Sequence, residues 1–218
     1  MPTVISGSRL TLPLHLIDAL GRYRHEVFVK RLGWQLPMVA PHDDTEWDEF
    51  DGPNTLYVML LDDTQTIRGC ARLLPTTAPY LLPKLLPDPG DARCVVDPRV
   101  WELSRVAVSD EREAASADND AGDWMTMLLR AVIAEAADRQ VDRLIGLAVP
   151  GMMRLYSRKG IRLVAEGPGL TLEGEALRVF SLDVNQCSTL HAPSAHAGLT
   201  ERLAAYRTGA DAHRPDLR

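Results

Sequence analysis

The chain is poor in the features that mark several broad classes of protein. It has three cysteines in 218 residues (Cys70, Cys94 and Cys187), an odd and scattered set without the paired spacing of a zinc site. A disulfide scaffold and a structural metal centre are therefore disfavoured, and a reduced, cytoplasmic setting is expected. No apolar run is long enough to cross a bilayer. The opening residues, MPTVISGSRLTLPLHLIDAL, lack the basic stretch and apolar core of a secretory leader. Lysine is scarce, with 3 lysines against 21 arginines, and the net charge is -6. With a pI near 5.5 and no basic stripe, a nucleic-acid binder is not expected. Internal repeats are absent.

What is present suits a globular enzyme or binding domain. Hydrophobic residues make up 45% and charged residues 25% of the chain, enough for a real core. The length favours one α/β domain, taken as residues 1–186, with a tail at 187–218 that carries one weak helix around Leu199 to Tyr206. Apolar spacing predicts a helix over Leu14–Val29, then a polar loop to residue 54. TLYVMLL and IRGCARLL, parted by DDTQT, read as a hairpin. A proline-rich connection over 75–98 leads to the strand VWELSRVAV. The polar stretch 109–122 reads as a mobile loop, and Asp123 as the cap of the helix WMTMLLRAVIAEAADRQ. Then follow a strand (VDRLIGLAV), a short helix closed by Gly160, and two final strands.

VWELSRVAV, residues 100–108, poses the chemical question. It reads as a strand covered on both faces, yet carries Glu102 and Arg105, which strict alternation places on opposite faces. Charges inside a strand are costly unless compensated, so these two and Arg72, inside the other strand GCARLLPT, mark a candidate site. Two further clusters join them: RYRHEVFVKRLGW, with Arg24, Phe28 and Trp34, and the acidic EWDEFD, with Asp48 and Asp51. Taken singly, Arg24 reads as a solvated helix residue, Phe28 as core and the acidic loop as solvated surface.

Together these residues resemble one family, the acyl-homoserine-lactone synthases. Its shared features are an Arg-x-x-x-Phe helix followed by a Trp, an Asp-x-x-Asp loop, a Gly-x-x-Arg-Leu-Leu-Pro strand and a Glu-x-x-Arg strand. All occur here in order, over about residues 15 to 185. The later order of strand, long helix, strand, short helix, strand is similar to the GCN5-related N-acyltransferase fold, a mixed central sheet flanked by helices. The resemblance implies transfer of an acyl group, from acyl carrier protein or acyl-CoA, to the amine of S-adenosylmethionine. Lactonisation and release of methylthioadenosine would follow, making a quorum-sensing signal.

On that footing Arg24, Phe28, Trp34, Asp48, Asp51 and Arg105 are expected to bind S-adenosylmethionine. Asp48 and Asp51 would offset its positive centres, Arg24 or Arg105 would hold its carboxylate, and the aromatic pair would cover the adenine or sulfonium. Glu102 is the expected base, with Arg72 and Arg105 as catalytic partners. The six charged residues Arg24, Arg72, Arg105, Asp48, Asp51 and Glu102 are expected to form one closed ion network. The acyl chain is expected among Met125, Leu128, Leu144, Leu147, Ala148, Met152 and Leu155. Ala148 stands where several relatives making 3-oxo products carry Thr or Ser, which points to an unsubstituted chain. Arg154 and Arg158, four apart on the short helix, are candidates for docking an acidic carrier protein. Neither a metal nor another cofactor is called for, S-adenosylmethionine being a substrate. An acetyl-CoA N-acetyltransferase is the competing enzyme, disfavoured because SDEREAASADNDAG replaces that class's Gly-rich pyrophosphate turn. A non-catalytic S-adenosylmethionine or carrier-protein binding module is disfavoured because simple binding does not require strand-buried charges.

Overall fold

The computed structural model describes residues 2–40, 42–88, 91–109, 124–172 and 174–190. The strands are β1 (Thr3–Gly7), β2 (Leu56–Leu61), β3 (Ile67–Pro75), β4 (Val100–Val108), β5 (Arg143–Ala148), β6 (Val164–Leu172) and β7 (Glu175–Asp183). The α-helices are α1 (Leu14–Arg24), α2 (Leu82–Leu85), α3 (Trp124–Asp138) and α4 (Pro150–Arg158). The strands form one sheet in the order β1-β2-β3-β4-β5-β7-β6. Each neighbouring pair is antiparallel except β4 and β5, which run parallel on either side of the α3 crossover.

Alternation along the strands feeds two faces. Leu56, Val58, Leu60, Ala71, Leu73 and Leu144 pack with α3, whose Leu128, Leu129, Val132 and Ile133 recur at helical spacing. Tyr57, Met59, Leu61 and Cys70 point the other way, onto Leu16, Ile17 and Leu20 of α1. β2 is thus covered on both sides, as its continuous apolar run requires.

Several expectations need adjusting. The first helix does not run uniformly: α1 passes at His25 into a π-helix, His25–Arg31. Such widened turns gather at functional sites, and this one carries Phe28. β1, too short for periodicity to reveal, adds an edge strand beside β2. The packed part also extends past residue 186, because Cys187 of the 3₁₀-helix Asn185–Leu190 is buried in the main cluster. The loop expected over 109–122 lies, from residue 110 on, outside the described residues, as do the Asp123 cap and the chain from 191. No helix of the described residues is long and apolar enough to cross a membrane.

Two features of β4 position everything that follows. Opposite β3 the register shifts: Cys70 pairs with Ala107 but Arg72 with Ser104, so Ala71 alone faces both Arg105 and Val106. This is a β-bulge, and Arg105 adopts a left-handed φ of 51° within it. Before the bulge, Trp101 and Leu103 face α3; after it, Val106 and Val108 do. Opposite β5 the pairing ends at Glu102–Ile145, although both strands continue. At that fork a Cβ on Gly146 would lie 2.5 Å from the Leu103 carbonyl oxygen and 2.9 Å from the Phe180 ring.

Glycine is therefore required at 146 by close approach to backbone. Gly146→Ala should force the strands apart at the fork and lower stability by about 1–3 kcal/mol. The shift in urea midpoint measures this; an unshifted midpoint would show that the fork has slack.

Candidate active site

The bulge settles how Glu102 and Arg105 relate. By inserting one residue it reverses the alternation, so Glu102, Ser104 and Arg105 all face away from α3. On that face lie Arg24 from α1, Arg72 from β3 and the acidic loop 46–51.

These groups close into a network of three guanidinium groups and three carboxylates. Arg24 donates from Nε to Glu46 at 2.5 Å and from both Nη atoms to Asp51 at 2.8 and 3.0 Å. Arg72 donates from Nη1 to Asp48 at 2.6 Å and Asp51 at 3.2 Å, and from Nε to Ser104 Oγ at 3.1 Å. Arg105 reaches Glu46 at 3.0 Å and Asp48 at 2.9 Å from Nη2. The Tyr57 hydroxyl and the Asp48 amide also donate to Asp51. The three carboxylates offer oxygens within 4.8 Å of one another, spacing that would suit a cation, but arginines already fill that role.

Exposure divides the network. The side chains of Arg24, Arg72, Glu46 and Asp51 are at most 1% exposed, whereas that of Asp48 is 16% exposed and forms its open edge. Beside that edge, Phe28 and Trp34 stack with ring centroids 4.9 Å apart. The Arg105 guanidinium lies 5.5 Å from the Trp34 centroid and 5.6 Å from that of Phe28. Trp34 remains 40% exposed. Arg24 stacks instead on Trp47, 4.9 Å away.

The structure corrects three expectations. Glu102 does not belong to the network; Glu46 takes its place. Glu102 Oε2 accepts the Leu82 amide of α2 at 2.6 Å, while buried Oε1 has no partner. Arg24 is sealed, its side chain 1% exposed and all three nitrogens engaged by Glu46 and Asp51, so it braces the site and is not positioned to meet a substrate carboxylate. Leu147 faces Val179 and the cluster opposite α3, so it cannot line a space beside Leu144 and Ala148. The other acyl candidates gather on the α3 side: Met125, Leu128, Leu144 and Ala148 are buried there, with Met152 and Leu155 against them. Arg154 and Arg158 are exposed on α4, away from the network. Glu46 was legible in principle, since three buried arginines call for three carboxylates and EWDEFD supplies them all.

The carboxylates divide electrostatically as well. Burial works to raise the Asp51 carboxyl, but Arg24 and Arg72 overcome it and hold the group below the usual range. Burial likewise opposes Glu46, and Arg24 and Arg105 prevail. Glu102 goes the other way: burial lifts it to about 7 despite the Leu82 amide and Arg72.

The profile of the autoinducer synthase family matches residues 12–191. An acyl-homoserine-lactone synthase of Ralstonia solanacearum is 40% identical over 209 residues, spanning 90% of this chain and 97% of that protein. Among solved structures, TofI in a ternary complex with an inhibitor and MTA is 35% identical with a TM-score of 0.69, covering 89% of this chain and 99% of its own. BjaI, a CoA-dependent acyl-homoserine lactone synthase solved with SAM and isopentyl-CoA, shares the fold at a TM-score of 0.74, 22% identity and 88% coverage of each chain.

The network's internal gradient is testable without substrate. Asp51→Asn leaves Arg24 and Arg72 short of a buried counter-charge and should cost about 3–5 kcal/mol. Asp48→Asn, at the open edge, should cost about 1 kcal/mol or less. Because Asp51 and Glu46 are depressed in the folded chain, the unfolded chain binds protons more readily as the medium acidifies. Their contribution is complete above about pH 5 and is lost as pH falls through the ordinary carboxylate range toward the native values. Urea unfolding of wild type and both variants across acid pH checks each point; equal losses for the two variants would refute the gradient.

Proposed function

The chain belongs to the autoinducer synthase family, and from that premise we propose how this acyl-homoserine-lactone synthase uses the residues assembled at the fork of its sheet. The supporting observation is a self-cancelling ion network, open only at Asp48 and flanked by an aromatic stack, beside a separate buried carboxylate with a free oxygen.

S-adenosylmethionine carries a sulfonium, an ammonium and a carboxylate on a small frame. Asp48 is the acid a cationic centre meets first, and the Phe28–Trp34 stack offers an aromatic face to adenine or sulfonium. Arg105 engages the network through Nε and Nη2, which leaves Nη1 to bind the substrate carboxylate. Glu102 Oε1 takes a proton from the amine, and a group held at about 7 is well matched to that task near neutrality. The amine nitrogen then bonds to the thioester carbonyl carbon, and the carrier leaves as its thiol. Backbone N–H groups around the Arg105 bulge are the candidate donors to the oxyanion. In the second step the substrate carboxylate displaces the sulfonium, closing the lactone and releasing methylthioadenosine. That step is intramolecular with a charged leaving group, so the site chiefly holds the folded conformer.

The acyl chain enters between α3, α4 and β5, along Met125, Leu128, Leu144, Ala148, Met152 and Leu155. The donor is an acyl carrier protein, with acyl-CoA as the other carrier chemistry. Arg154 and Arg158 form an exposed basic edge, with Arg162 close in sequence, on an otherwise acidic chain.

Mass spectrometry of lactones made by a host expressing this chain tests the activity. Glu102→Gln should lower turnover by about two orders of magnitude while leaving S-adenosylmethionine affinity intact. In the wild type, kcat should rise with pH through about 7, as the base deprotonates. Near-normal turnover of the variant would remove Glu102 from the mechanism. Replacing Arg154 and Arg158 with Glu should raise the KM for acyl carrier protein but not for S-adenosylmethionine, and added salt should mimic this in wild type. A carrier KM indifferent to salt would exclude this docking edge and favour acyl-CoA.

A further inference from the structure

The acyl side of the sheet holds two polar groups that core packing does not explain. Tyr156 of α4 is 2% exposed, and its hydroxyl has no hydrogen-bond partner. Trp124, the first residue of α3, is 8% exposed, and its indole N–H is likewise unpartnered. Both belong to the apolar cluster that includes Met125, Leu144 and Ala148. A buried donor without an acceptor is a standing cost, and phenylalanine at 156 would fill nearly the same volume without it. Burial keeps the Tyr156 phenol protonated, above its ordinary range.

The remaining unpartnered buried side-chain atoms among the described residues are Arg72 Nη2 and Glu102 Oε1, on the opposite face. The cluster on the α3 side therefore holds two unmet donors, the indole N–H and the phenol O–H, and apart from the phenol oxygen itself no unmet side-chain acceptor. Its missing partner is an oxygen that arrives with a ligand. Given the synthase reading on which this inference rests, the group that enters this cluster is the acyl chain. We propose that Tyr156, seconded by Trp124, selects acyl donors bearing a keto or hydroxyl oxygen on the chain over plain saturated ones.

The chemistry of the two donors fits either oxygen. A keto oxygen has two lone pairs and accepts from both. A chain hydroxyl donates to the phenol oxygen and accepts from the indole N–H. The absence of a hydroxyl from Ala148 taken alone points to a saturated chain, but that reading considers β5 only. Here the polar groups come from α3 and α4, whose residues share one cluster with Ala148. A site that has buried its donors discriminates strongly against a ligand lacking the acceptor, because those donors then stay unmet.

The test is competition among thioester donors of one chain length, saturated, 3-hydroxy and 3-oxo, on the same carrier, with kcat/KM read for each. The wild type should favour an oxygenated donor, and the better of the two identifies the oxygen. In Tyr156→Phe the ratio of oxygenated to saturated kcat/KM should fall about tenfold or more, and in Trp124→Phe it should fall less. Because the ratio is internal to each variant, a purely structural role for either side chain would not move it. A wild type that prefers the saturated donor, or a ratio unmoved by Tyr156→Phe, overturns the inference alone. Failure of the wild type to make lactone from any donor overturns the synthase reading and this inference with it.

Discussion

One inserted residue in β4 decides what the site can be. Without the bulge, alternation would send Arg105 toward α3, into an apolar cluster where its charge would have no partner. With it, Arg105 joins Ser104 and Glu102 on the α1 side and meets Glu46 and Asp48. The left-handed φ of Arg105, 51°, costs about 1–2 kcal/mol for a residue with a Cβ. The backbone is held in that state from several sides: the Arg105 carbonyl accepts the Cys70 thiol at 3.4 Å, and the guanidinium is fixed by two carboxylates and two rings. Local strain that surroundings over-determine in this way is characteristic of functional sites.

The acidic loop docks only because of those arginines. Residues 46–51 contribute few apolar contacts beyond Trp47 and Phe50, and three carboxylates brought together would repel. Three guanidinium groups from α1, β3 and β4 convert that repulsion into a joint between a loop, a helix and two strands. The same joint separates two kinds of carboxylate. Asp51 stays ionised under arginine control, while Glu102, one alternation away but bonded to the α2 backbone instead, is shifted by burial into the neutral range. The proposed mechanism uses this division, with Asp51 in an electrostatic role and Glu102 in proton transfer.

Much of this was legible in the residues. The hairpin of β2 and β3, the long helix α3 and the parallel return of β5 follow from apolar periodicity, and five of the six network residues were marked by charges set in apolar strands or by motif. The bulge was not legible, because one extra residue leaves no trace in composition, and strict alternation therefore set Glu102 and Arg105 on opposite faces. Glu46 was concealed separately: with Glu102 counted as the third acid, the three arginines already appeared balanced. Leu147 was misplaced for a simpler reason, since an apolar run buried on both faces does not say which side each residue serves. Tyr156 gave no signal at all, because its hydroxyl matters only once its lack of a partner is known.

The fork between β4 and β5 ties the two faces together. On the α1 side of the fork lie Glu102 and the ion network, and on the α3 side the apolar cluster beneath α3 and α4. Parallel pairing ends at Glu102–Ile145, so the edge of β4 beyond that point is not bonded to β5. A polar nucleophile and an apolar acyl chain need opposite surroundings, and a continuous sheet would keep them on opposite sides. In the proposed reaction the thioester lies at the fork, its carbonyl near the unpaired β4 edge, with the amine arriving from the charged face and the chain from the apolar one. Gly146 sets where the fork begins, since a side chain there would strike the Leu103 carbonyl and move the parting of the strands away from Glu102. Glu102, the proposed base, sits at the last paired residue of β4, so the sheet fixes its aim beside backbone that β5 no longer bonds.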